Sequence, residues 1–275
     1  MDHTLAECGL RLRYLRGSRV LGVVDRQRLL ADLLTGAPPS EAAALFVRPQ
    51  LAEYAHVVVA YDLGTGTAIG LLCAHDHQAS RGTFLWLESG FVAQTARGQN
   101  LLRRMIAVML IRIVSQASAP VAVATMTPSP VGVHVLQQMA AWLPDARFAP
   151  TAEGAIVDLG AVALARDITA TLGRRFVYEQ ASRSVTAGLE VLQTAQAVGY
   201  ASRAIVAASP MLAMLDLRTS CEGALIADLR KLYRMPPGRS LRMPSANIPA
   251  DTSQDPAEPP LQLHAPCQFG DSRRR

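Results

Sequence analysis

Residues 91–110 read FVAQTARGQNLLRRMIAVML, and the interpretation of this stretch decides the fold. It reads as the end of a strand, a short polar turn centred on Arg97 and Gly98, and then an apolar helix. A helix that begins just after a close-turning glycine presents backbone N–H groups with no acceptor inside the helix, and these suit a phosphate or diphosphate. The stretch therefore points to a phosphorylated cofactor.

Outward from it, the chain alternates between the two periodicities. Residues 83–92 (TFLWLESGFV) are apolar on both faces, as a central strand is. Residues 56–61 (HVVVAY) and 68–74 (AIGLLCA) flank the turn-rich DLGTGT of 62–67 and read as a hairpin. Residues 24–35 place Leu29, Leu30, Leu33 and Leu34 on one helical face, and Gly36-Ala37-Pro38-Pro39 ends that helix. Downstream come a helix over 99–116, a β-branched run over 120–127 and a helix over 131–143 opened by Thr127-Pro128-Ser129-Pro130. A last hairpin is expected from 147–150 and 155–159. Residues 161–234 read as mostly helical, with Leu225, Leu229 and Leu232 in one stripe and Leu212, Leu215 and Leu217 available for core packing. Such stripes pack on the first domain or on another copy of the chain, as a homodimer. From 235 onward the chain holds 8 of its 17 prolines and little periodicity, which is the composition of a disordered tail. The expected organisation is a domain over 1–160, a helical extension over 161–234 and a tail over 235–275.

Half of the 275 residues are hydrophobic, enough for a sizeable core, but aromatics make up only 5%. The net charge of +5 invites a nucleic-acid reading, yet Lys231 is the only lysine and the arginines are scattered and not interleaved with aromatics. That skew fits a GC-rich bacterial genome better than a binding surface. Cys8, Cys73, Cys221 and Cys267 form no CxxC pair, so neither a zinc site nor a redox dithiol is indicated, and reduced thiols in a cytoplasmic protein are expected. The first residues lack the apolar core of a secretory signal, and the apolar run 105–114 is broken by Arg112, so no membrane role is expected.

The order of elements, together with Val92-Ala93-Gln94-Thr95-Ala96-Arg97-Gly98-Gln99-Asn100-Leu101, resembles the GNAT acyltransferases and their motif V-x-x-x-x-R-G-x-G-L. The resemblance covers about residues 20–160. It implies a mixed α/β fold with a mostly antiparallel central sheet flanked by helices. It also implies acetyl-CoA, or another acyl-CoA, as co-substrate and an amine-bearing small molecule or protein as acceptor. In that family the strand before the loop splays from its neighbour. Phe91 and Val92 would then contact the pantetheine arm, Arg97, Gly98, Gln99, Asn100 and Leu101 would surround the pyrophosphate, and Ser129 would continue the cofactor contacts. Three positions depart from the pattern, the first being Thr95, where the family has a polar Gln or Arg three residues before Gly98. Asn100 replaces the second glycine, and Asn tolerates a left-handed backbone better than most residues. Leu136 stands where the family often has a tyrosine acid.

Glu88, on the central strand among Trp86, Leu87 and Phe91, is the candidate base for an ammonium acceptor. His134 is the candidate proton donor in place of the missing tyrosine. His75-Asp76-His77 puts two imidazoles on one strand face, but no further ligand is spaced to complete a metal site. Two other functions compete. The stretch 62–69 (DLGTGTAI), preceded by Val57-Val58-Val59, resembles the glycine loop of S-adenosylmethionine methyltransferases, with Ala68 for the third glycine. The chain could equally be an inactive, GNAT-shaped binding module.

Overall fold

The structure is a computed structural model, which describes residues 2–5, 8–17, 23–36, 54–116, 119–127, 130–149, 159–172, 176–179, 184–187, 211–218 and 220–235. The elements are β1 (Asp2–Leu5), β2 (Leu10–Arg16), α1 (Val23–Thr35), β3 (His56–Asp62), β4 (Ala68–Ala79), β5 (Gly82–Val92), α2 (Leu101–Gln116), β6 (Ala122–Thr127), α3 (Pro130–Trp142), β7 (Arg147–Ala149), α4 (Leu159–Leu172), β8 (Phe176–Glu179), β9 (Ser184–Ala187), β10 (Met211–Asp216) and α5 (Glu222–Arg234). Eight strands form one sheet in the order β1-β2-β3-β4-β5-β6-β10-β7, and β8 pairs with β9 separately. Only β5 and β6 run parallel; the other pairs are antiparallel. This is the mixed, mostly antiparallel sheet flanked by helices that the sequence led one to expect.

Period-two alternation sorts the strand residues onto two faces. Leu12 and Tyr14 of β2, Val58 and Ala60 of β3, and Leu85 and Leu87 of β5 pack against α2, α3 and α5 in the largest cluster. On the other face, Val57, Val59, Leu71 and Cys73 meet Leu29 and Leu33 of α1. Farther along that second face, Phe84, Trp86, Ala122 and Met214 meet Leu164 and Ile168 of α4. Asp167 clamps α4 to the β4–β5 turn by accepting from the amides of Ser80 and Arg81, at 3.2 and 3.0 Å. Helix α2 is buried nearly all round, between the sheet and α5. It approaches closely because Gly70 has no side chain: a Cβ there would stand 3.2 Å from Leu101 and 3.3 Å from Met105.

Three expectations change. β7 pairs with β10, and of the partner expected at 155–159 only Leu159, which opens α4, lies among the described residues. The helical reading of 161–234 holds for α4 and α5 but gives way to strands at β8, β9 and β10. Leu212–Asp216 of β10 are buried on both faces between β6 and β7, so the apolar run carries no alternation to mark it as a strand. The stretch 62–68 is a hairpin turn: Asp62 N–H donates to Thr67 O at 3.0 Å, Gly66 N–H to Asp62 O at 2.9 Å, and β4 returns antiparallel to β3. A methyltransferase loop must open a helix, and this one opens a strand, so the S-adenosylmethionine reading of 62–68 is withdrawn. The tail over 236–275 lies outside the described residues.

Candidate functional site

The β5–β6 ladder is short. Its rungs are Phe84↔Ala122, Leu85↔Val123 and Trp86↔Ala124, after which β5 continues to Val92 with no further rung to β6. The Thr125 hydroxyl donates to Leu87 O at 2.9 Å and pins the fork where the strands part. Beyond the pin, the edge of residues 89–91 has no strand paired to it on that side among the described residues, while β6 keeps its pairing to β10 along its other edge as far as Thr127. Gly90 is exposed there. A Cβ at Gly90 would meet Leu102 at 3.2 Å, so a glycine lets α2 lie close against the fork.

At the end of β5 the chain makes a single 3₁₀ turn, Gln94–Ala96, and enters the loop before α2. Arg97 Nε donates to Val92 O at 3.4 Å and folds the loop back on its strand. Gly98 adopts φ +81°, and a Cβ on it would meet nothing within 4 Å, so the loop borders open space at that point. Asn100 adopts φ 58°, the left-handed conformation that the second glycine of the motif would supply. Its carbonyl accepts the first helical bond, from Arg104 N–H at 3.1 Å. The amides of Leu101, Leu102 and Arg103 therefore have no acceptor inside α2, and the positive end of the helix dipole lies at the same place. Arg97, Gly98, Gln99, Asn100 and Leu101 are thus gathered at one helix start beside the fork. Phe91 is buried against the α1 face, and Val92 is partly buried against the α2 face. Ser129 lies outside the described residues.

Glu88 owes its position to a β-bulge. The β4–β5 register jumps from Cys73↔Ser89 to Ala74↔Leu87, so Glu88 is the extra residue. Its Oε2 accepts from Trp86 Nε1 at 2.7 Å, which turns the carboxylate onto the α1/α4 face of the sheet. Next to it on that face run His75 and His77. The His77 ring stacks on Phe84 at 5.3 Å and meets His75 edge-on at 6.1 Å, while His75 tilts against Tyr54 at 4.9 Å. Burial, and then His75, hold the His77 imidazole below its ordinary value of 6.5, with Glu88 and Asp76 opposing. Cys73 lies beneath, its thiol pushed up by burial and by Glu88, and so inert. The half-buried floor between α1 and α4 accordingly sets the Glu88 side chain beside His77, whose imidazole burial keeps neutral more readily than usual. Because His77 is neutral in the fold and protonates more readily when unfolded, its contribution to stability is present above pH 6.5 and lost as the pH falls below it. We expect a His77→Gln variant to show a smaller loss of denaturant midpoint than the parent between about pH 7.5 and 5.

His134 is placed differently from Glu88. It sits on α3, whose Val135, Leu136 and Met139 pack on the α2 face, opposite the one Glu88 occupies. Gln138 Nε2 donates to its Nε2 at 2.8 Å, leaving the ring proton on Nδ1. Leu136 is 1% exposed and embedded in the core. Asp76 leaves the His75/His77 face altogether. It accepts at 2.7 Å from Nε2 of His56, whose Nδ1 accepts at 2.7 Å from the Tyr14 hydroxyl. Burial pushes the Tyr14 phenol up to about 12, so it stays protonated and able to donate to His56. This chain ties β2, β3 and β4 together. Reading the sequence missed it because its members come from three strands 42 and 20 residues apart. Among the described residues no three His, Cys, Asp or Glu side chains gather as a metal site, and no helix is long and apolar enough to cross a membrane.

No protein-family model matches the chain and no curated protein matches it. Among solved structures, a histone acetyltransferase HPA2-related acetyltransferase from Corynebacterium glutamicum is similar with a TM-score of 0.36 at 12% identity, over 74% of this chain and 95% of that one. An aminoglycoside acetyltransferase from an uncultured soil metagenomic sample gives 0.35 at 14%, over 56% and 97%. The diaminobutyrate acetyltransferase EctA of Paenibacillus lautus, solved with its substrate and coenzyme A, gives 0.33 at 16%, over 50% and 80%. Superpositions this loose carry no argument about activity, which has to come from the chain's own geometry.

Proposed function

We propose that the protein is an N-acyltransferase that moves an acetyl or other acyl group directly from acyl-CoA to an amine. The observation that carries this reading is the fork between β5 and β6, which opens beside a helix start whose amides lack helical acceptors. An extended, amide-bearing arm can add along the edge of residues 89–91 as a strand would, while a diphosphate takes the amides of 98–102. Phe91 and Val92 flank the arm, and Arg97 braces the loop. Such a cofactor would supply an activated thioester.

The chain's own contribution is placement and proton removal. Glu88 faces the cleft between α1 and α4 and takes a proton from the incoming ammonium, directly or through a water. The Trp86 indole holds its carboxylate in one orientation. Proximity of amine and thioester across the fork supplies much of the remaining acceleration. With Leu136 in the core and His134 held by Gln138 over the opposite face, the leaving thiolate draws its proton from solvent in this reading.

The test is a thermal shift on the full chain. Acetyl-CoA should raise the melting temperature and S-adenosylmethionine should not, since only a ligand that binds the native state stabilises it by mass action. Release of free CoA thiol with a panel of amines then separates an active enzyme from a binding module. The absence of any acetyl-CoA shift would end the proposal.

A further inference from the structure

Two arginines in the first turn of α2 are buried, with no counter-charge among the described residues. Arg103 is 1% exposed and Arg104 0%. Arg104 Nη2 donates to the main-chain carbonyl of Met235 at 2.6 Å, and Arg103 Nη2 reaches only the Met235 sulfur, at 3.5 Å. Arg103 Nε, Arg104 Nε and Arg104 Nη1 are buried and have no hydrogen-bond partner, and neither has the side-chain amide nitrogen of Asn100, immediately before the helix. Among the described residues no carboxylate pairs with either arginine. The neighbours make the positive field stronger: each guanidinium repels the other, and the start of α2 adds the positive end of its dipole. The last carbonyls of α5 offset only part of this. Tyr233, on α5, lies within the field of Arg104. Burial pushes its phenol up to about 12, so it is a protonated group able to donate.

The unsatisfied atoms of Arg103 and Arg104 are N–H donors, and what the two guanidinium groups face are a thioether and a neutral carbonyl. A buried cation with such weak acceptors is a costly arrangement unless an anion completes it. We propose that Asn100, Arg103, Arg104 and Tyr233 form a receptor for a phosphoryl oxyanion, which displaces the Met235 contacts at the end of α5. A tetrahedral oxyanion suits the set because it accepts from several guanidinium and amide donors at once. The receptor is formed by side chains between α2 and α5, whereas the diphosphate cradle proposed above is formed by loop amides. Two sources share this chemistry, a free phosphate and a phosphate group of the acyl-CoA. In the second case the inference rests on the acyl-CoA reading.

The experiment uses the full chain and inorganic phosphate, compared with chloride at equal ionic strength. Phosphate should raise the melting temperature beyond chloride. The double substitution Arg103→Met/Arg104→Met should abolish whatever part of that response Gly98→Val, which removes the loop cradle, leaves in place. In chloride the same variant should melt no lower than the parent, since it sheds two uncompensated buried charges. Tyr233→Phe, a milder change, should weaken phosphate binding by about tenfold. Gly98→Val should leave the phosphate response intact even where it removes the acetyl-CoA response, which separates this site from the loop. A parent that prefers CoA to dephospho-CoA, with the preference erased in the double variant, assigns the anion to the cofactor; equal binding of the two assigns it to free phosphate. A parent with neither a phosphate response nor that preference overturns the proposal. So does a phosphate response of Gly98→Val that survives when the double substitution is added to it. A double variant that melts well below the parent in chloride would also overturn it, since the arginines would then be caps for α5.

Discussion

Gly98→Val is expected to abolish stabilisation by acetyl-CoA while leaving a folded protein. The two halves of that expectation have separate causes. A Cβ at position 98 meets nothing within 4 Å among the described residues, so the branch point of valine has room. The backbone sits at φ +81°, however, where a β-branched side chain costs about 1–2 kcal/mol. The loop must either bear that strain or turn away. If it bears it, the isopropyl group occupies the space where a diphosphate would lie; if it turns, the amides after it lose their common direction. Either way the helix start ceases to be an anion cradle. The measurement is the melting temperature of parent and variant with and without saturating acetyl-CoA. A variant that keeps the parent's shift would take residues 97–101 out of the binding site, whatever its effect on turnover.

The second large effect concerns Glu88. Glu88→Gln keeps an oxygen for the Trp86 indole to donate to, and so keeps the bulge and the orientation of the side chain. What it loses is the ability to take a proton. The expected fall in kcat is about 10²–10⁴-fold near neutral pH, the usual contribution of a positioned general base. The deficit should shrink as the pH rises towards the ordinary value of an alkyl ammonium, about 10.4, because more of the acceptor then arrives already deprotonated. A deficit independent of pH, or the absence of one, would remove Glu88 from the base's role. KM for the acyl donor is expected to stay near that of the parent, since the carboxylate lies on the face of α1 and α4, away from the loop.

These expectations trace to parts of the chain that differ in how openly the sequence displays them. The strand–loop–helix of 91–110 is legible because all its signals are local: an apolar strand, a turn glycine and a run of helix formers. Asn100 was legible too, as a residue able to take the left-handed conformation that it does take, at φ 58°. The bulge at Glu88 was not, because it is a mismatch between two strands and exists only in their register. β2 left a signal that was overlooked: in LRLRYLR, buried Leu10, Leu12 and Tyr14 alternate with half-buried Arg11 and Arg13, a period of two after Gly9 at φ +63°. Nothing local to Arg103 and Arg104 marks them in the sequence as buried. Their burial follows from α5 packing over α2, a contact between segments about 130 residues apart.

The placement of β10 has a consequence for how the protein is made. This strand lies between β6 and β7, both of which leave the ribosome long before it. Until Met211–Asp216 has emerged, nascent chains carry β6 with one hydrogen-bonding edge bare, and such edges recruit strands from neighbouring molecules. A polypeptide cut short before Met211 should therefore accumulate in inclusion bodies even though every residue assigned to catalysis is already present in it.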